Sequence, residues 1–83
     1  MMDDLKAQIK QMIVERLFLD IMPSEMGDTT PLMETYGVDS ESLFELVVGL
    51  EEEFDIELDE SDFNTETFRD VNSIAKFVKQ KLD

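Results

Sequence analysis

An 83-residue chain with 42% hydrophobic residues can bury a core, near the small end of what folds without staples. It contains neither cysteine nor histidine, so disulfides and thiolate metal sites are excluded and most nucleophilic triads lose a member. The formal net charge is −14, a balance that repels nucleic acid and anionic membranes and attracts proteins with basic patches, though it also serves plain solubility.

The charge is unevenly placed. All seven basic residues are Lys6, Lys10, Arg16, Arg69, Lys76, Lys79 and Lys81, whereas Leu17 to Phe68 holds 16 acidic residues and no Lys or Arg. No apolar run approaches the roughly 20 residues that span a bilayer, and the N-terminus MMDDLKAQIK lacks an apolar signal core. The expectation is one soluble, monomeric, cytoplasmic domain over residues 1–83.

Residues 3–19 predict a first helix, with Leu5, Ile9, Met12, Ile13 and Leu17 on one buried stripe. Asp3 and Asp4 stand at its start, where the helix dipole favours anions. Phe18, Ile21 and Met22 are expected to continue the apolar surface as the helix ends near Asp20. From Asp20 to Asp39, Pro23, Gly27, Pro31 and Gly37 among Ser, Thr and Asp predict a long loop. Its apolar residues Ile21, Met22, Met26, Leu32, Met33, Tyr36 and Val38 predict that it packs on the helices.

Residues 40–54 carry the strongest helical pattern. At roughly 100° per residue, Leu43, Leu46, Val47, Leu50 and Phe54 gather into a core arc. A second arc beside it holds Ser40, Glu41, Phe44, Glu45, Val48, Glu51 and Glu52. Two apolar side chains among carboxylates suggest a surface for a partner. Asp39 and Ser40 are both good N-cap residues, which is their simplest local role.

After Asp55, a short third helix is expected to begin with Glu60-Ser61-Asp62-Phe63, Phe63 directed inward, followed by a connection whose Phe68 is buried. DIELDESDFNTE is acidic but lacks the central glycine of an EF-hand loop, so a dedicated calcium site is not expected. Residues 70–82 predict the last helix, with Val71, Ile74, Ala75, Val78 and Leu82 as its buried stripe and Phe77 at the border. Asp70 starts it, and Lys76, Lys79 and Lys81 lie toward its end. The expected fold is all-α: a four-helix bundle of three main helices and one short third helix, with a long loop between helices 1 and 2.

In this register the chain resembles the acyl carrier proteins over nearly its whole length. Gly37-Val38-Asp39-Ser40 is similar to that family's Gly-x-Asp-Ser, Glu45-Leu46-Val47 to its Glu-Leu-Val, and Leu50-Glu51-Glu52-Glu53-Phe54 to its Leu-Glu-Glu-Glu-Phe. The resemblance implies that a phosphopantetheinyl transferase moves 4′-phosphopantetheine from coenzyme A onto Ser40. The arm would hold acyl groups as thioesters for fatty-acid, lipid or polyketide-type enzymes, with no catalysis by the chain itself. It implies as well that Asp39 belongs to the attachment motif. Glu45, Glu51 and Glu52, with Val48 between them, would meet basic patches on acyl ligases, synthases or acyltransferases; Glu41 and Phe44 complete the surface.

The pattern departs from the family after the serine, where Glu41 and Ser42 replace a usual Leu and an acidic residue. That exchange of an apolar contact for a charge points to a specialised member with its own enzymes. Ser42-Leu43 offers a rival Ser-Leu reading, but moving the motif there loses the preceding Asp and puts Val47 where Glu45 belongs. A carrier of amino acids or peptides would share the serine chemistry, although the dense glutamates favour acyl groups. Without the resemblance, the chain reads as a noncatalytic acidic interaction module with Ser40 as part of a cap.

Overall fold

The computed structural model describes residues 2–62 and 64–82. Phe63, expected to point inward, lies outside them, as does the side chain of Asp3. The first helix, α1, runs Met2–Arg16 and buries Ile9, Met12 and Ile13, with Leu5 and Leu17 partly covered. It ends sooner than its apolar pattern suggests. The Leu19 N–H donates to the Val14 carbonyl at 3.0 Å, the six-to-one bond of a Schellman ending, and Phe18 takes the left-handed position at φ 53°. Leu17 and Leu19 would lie on opposite faces of a continuing helix, roughly 200° apart. Ending at Arg16 lets both pack against the core. The exception is Phe18: it does not extend the buried surface but stands 91% exposed. Met22, expected to extend it too, is also exposed.

The segment from 20 to 39 is an ordered crossover rather than a bare loop. It holds a 3-10 turn, Pro23–Glu25, and a five-residue helix, α2, Leu32–Tyr36, which the turn-rich composition does not predict. Met26, Leu32 and Val38 are buried, so hydrophobic contact fastens the crossover to the bundle. Backbone bonds lock it further: the Leu32 N–H donates to the Arg69 carbonyl at 2.9 Å, and the Asn72 N–H to the Asp28 carbonyl at 3.0 Å. The Asp28 carboxylate meets Lys10 at 2.7 Å and Lys6 at 3.4 Å. Hydrogen bonding to Lys10 is the main cause holding its carboxyl below the ordinary value.

Helix α3 spans Ser40–Phe54, the predicted bounds, and buries Leu46, Val47, Gly49 and Leu50. Gly49 lets α1 come close: a Cβ there would lie 2.7 Å from Met12 Sδ and 3.2 Å from Arg16 Nε. At its far end Asp55 adopts φ 53°, a left-handed position that aspartate tolerates. The short third helix is a 3-10 turn, Glu60–Asp62, in which the Asp62 carboxylate accepts the Asp59 N–H at 2.8 Å. Phe68 is 1% exposed, as expected.

The last helix, α4, Val71–Leu82, is capped by Asp70, whose Oδ1 accepts the Ser73 N–H at 2.8 Å. Asp70 is the buried charged residue of the described core. Burial pushes its carboxyl up, but the Ser73 N–H and hydroxyl and the Arg69 guanidinium outweigh this and hold it below 3.8. Val71, Ile74, Ala75 and Val78 are buried, while Leu82, in a final turn the bundle does not cover, stays 54% exposed. Both α3 and α4 pack on α1, so the described fold is all-helical around one shared core.

Candidate functional site

Loop becomes helix at Asp39, and local chemistry dictates where. Gly37 ends α2 at φ 63°, a turn that only a residue without Cβ takes freely, and nothing lies within 4 Å of where its Cβ would be. Val38 then anchors in the core with 7% exposure. Asp39 follows in extended backbone. Its carboxylate Oδ1 accepts the Ser42 N–H at 2.9 Å, and its carbonyl accepts the first helical bond, from the Leu43 N–H, at 2.8 Å. The Ser42 N–H, then the Ser42 hydroxyl, outweigh slight burial and hold the Asp39 carboxyl below its ordinary value.

Ser40 is therefore the first residue of α3, presented to solvent by a rigid cap behind it and an anchored valine two residues back. The two serines differ. Ser40 is exposed, whereas Ser42 is half-buried and its N–H and hydroxyl both engage Asp39. A carboxylate already occupies the helix N-terminus, so a phosphate on Ser40 would remain solvated rather than clasped by the free amides.

The rest of the predicted surface divides in two. Glu41, Phe44 and Glu45 are exposed and, with Ser40 and Ser42, form one wall of an open groove of about 560 Å³. The opposite wall is Arg16, Leu17 and Phe18 from the end of α1. Val48 is half-buried on the same helix. Farther along, Glu51 and Glu52 have duties inside the fold. Glu51 Oε2 accepts the Leu58 N–H at 3.1 Å and so steadies the turn after α3; Glu52 Oε2 pairs with Arg16 Nη2 at 3.1 Å.

The α1 wall is what periodicity misses. The expectation that Phe18 extends the apolar surface follows its hydrophobicity rather than its register, since on a continuing helix it would lie roughly 180° from Ile9. Among the described residues no cluster of acidic side chains is arranged to hold a metal ion. No helix among them is long and apolar enough to cross a membrane.

Comparison with known proteins gives a consistent result. A family model described as "Phosphopantetheine attachment site" matches residues 7–78. An acyl carrier protein of a Sulfurovum species is 35% identical over 71 residues, covering 86% of this chain and 89% of the relative. One from Bdellovibrio bacteriovorus is 32% identical over 74 residues, 89% of this chain and 90% of its own. One from Phenylobacterium zucineum is 31% identical over 81 residues, 98% of each.

Proposed function

The chain belongs to the phosphopantetheine-attachment family of acyl carrier proteins, and from that premise we propose that Ser40 is the residue that bears the arm. Its function is carriage, not catalysis: acyl groups ride as thioesters on the thiol of a covalent 4′-phosphopantetheine. Its partners are a phosphopantetheinyl transferase and acyl-handling enzymes.

The observation that carries the assignment is the exposure of Ser40 at the first position of a capped helix, in the wall of an open groove. In the loading step the Ser40 hydroxyl oxygen bonds to the phosphorus next to pantetheine in coenzyme A. The pyrophosphate P–O bond to 3′,5′-ADP breaks, and the serine proton leaves to the transferase or solvent. Asp39 orients the serine by fixing the start of the helix, and its carboxylate stays with Ser42 rather than with the reacting oxygen.

Glu41, Phe44, Glu45 and Val48 form the surface that ligases, synthases or acyltransferases with basic patches contact, with Glu51 and Glu52 as its far margin. Glu41, a charge where the family usually has leucine, suits a specialised set of such enzymes. Incubation with coenzyme A and a broad-specificity transferase, read by intact mass, tests the attachment point. One arm should be added to the wild type and to Ser42→Ala, and none to Ser40→Ala. A gain that survives Ser40→Ala would place the attachment elsewhere.

A further inference from the structure

Phe18 carries a conformational cost that the fold does not use. Its φ of 53° closes α1 in a conformation that glycine takes freely and phenylalanine does not, and the ring stays 91% exposed. Strain kept at a residue that adds nothing to the core points to a use outside the chain. With Leu17, the ring lines the groove shared with Ser40 and the exposed Phe44.

The charge of that groove is one-sided. Glu41 and Glu45 stand one turn apart on α3 and have no ion pair among the described residues. Arg16 is the cation among the lining residues, but its guanidinium lies beside Gly49 and pairs with Glu52 at 3.1 Å. The two glutamates are left uncompensated.

We propose that Phe18 is an apolar anchor for the enzyme that loads acyl groups onto the arm. The ring enters an apolar pocket on that enzyme, and Lys or Arg side chains bordering the pocket meet Glu41 and Glu45. The inference rests on the α3 surface as the docking face and extends that face onto the end of α1. Charge selects this occupant, because open carboxylates beside the ring call for cations. A second copy of the chain would set glutamate against glutamate under a net charge of −14, and an anionic membrane is repelled in the same way. An aromatic side chain with charges at its margin is also the composition of a protein interface, where aromatic residues fill the centre and charged ones the rim. Since the ring and Ser40 line one groove, an enzyme seated on the ring lies next to the root of the arm. Phe18 then discriminates between enzymes: one with a basic patch but no pocket leaves the ring unburied and binds less well.

The test uses the acyl-loading enzyme purified by its activity from the protein's own cell, acting on carrier already bearing its arm. Phe18→Gly should raise KM about tenfold or more, as expected from the loss of one buried ring, and leave kcat within about twofold. Phe18→Tyr, which keeps the ring, should restore most of the loss. Phe18→Gly relieves the left-handed strain, so it should unfold at the same or higher denaturant concentration, which separates docking from folding. Its penalty should persist in salt that abolishes the penalty of Glu45→Lys, because burial of a ring is not screened. An unchanged KM in Phe18→Gly beside a raised one in Glu45→Lys would overturn the anchor and leave the docking face standing. KM unmoved by either variant would sink the docking face and the anchor with it, so the two failures are distinguishable. Dimers in sedimentation, or binding to phosphatidylcholine vesicles, that Phe18→Gly abolishes would give the ring another occupant and overturn the proposal. A lower unfolding midpoint with an unaltered KM would make the ring structural and do the same.

Discussion

Among the described residues, three take left-handed backbone where the chain changes direction, and they suit it unequally. Gly37 does so freely, Asp55 with little penalty, and Phe18 at roughly 1–2 kcal/mol. Asp70 shows a different local balance. It is buried, yet the Ser73 donors and Arg69 keep its carboxyl below 3.8, so its ionised form is stabilised by folding. A carboxyl depressed in the folded state contributes stability above its unfolded value of 3.8, and that contribution is lost as pH falls through the lower folded value. Asp70→Ala should therefore cost about 1–2 kcal/mol near neutral pH, as lost helix caps do, and Asp70→Asn less because asparagine also caps. Urea unfolding near pH 7 and near pH 3 checks this: the gap between wild type and Asp70→Asn should narrow below 3.8. An unchanged gap would mean that the charge of Asp70 has no part in stability. The cap role was legible in the sequence, since an aspartate preceding an apolar stripe is a helix start; its burial was not.

At the scale of the element, α3 does two things with one helix. Leu46, Val47 and Leu50 hold it in the core, and the adjacent arc presents Ser40, Phe44 and Glu45. This division follows from a 3.6-residue repeat, which is why both arcs are legible in the sequence. What the repeat does not tell is which carboxylates are already engaged. Glu45 lines the groove, whereas Glu52 is tied to Arg16 and Glu51 to the turn at Leu58. Glu45→Lys should slow acyl loading by a cognate enzyme several-fold with little change in stability, and added salt should slow the wild type in the same sense. Glu52→Lys should slow loading too, and in addition lose up to about 1 kcal/mol with its ion pair. Rates indifferent to both charge reversals and to salt would exclude electrostatic steering.

Over the whole molecule, 21 acidic residues face 7 basic ones, so self-repulsion opposes compaction. Salt screens that repulsion, but it also weakens the pairs of Asp28 with Lys6 and Lys10, Glu52 with Arg16 and Asp62 with Lys81. None of these pairs is fully buried, so each is worth about 0–1 kcal/mol, and the unpaired excess is much larger. Thermal stability should therefore rise with sodium chloride, by roughly 1 kcal/mol or about 4–8 °C for a domain of this size. Melting in a salt series decides it, and a falling Tm would show that the pairs outweigh the repulsion.

By itself the sequence determined the helical class, the span of α3, the burial of Met26, Leu32 and Val38 in the crossover, and the junction at Asp39-Ser40. All of these rest on near-neighbour chemistry, namely helical periodicity, caps and turn residues. Tertiary structure alone decided where α1 stops, that Leu32–Tyr36 coils into a helix against Arg69, and that Leu82 is left uncovered. It also decided that the end of α1, with Leu17 and Phe18, lines one groove together with Ser40. Those outcomes depend on which surfaces other elements cover and how closely they approach, as Gly49 permits between α1 and α3, and residues 22 or more positions apart in the chain carry no periodic trace of meeting.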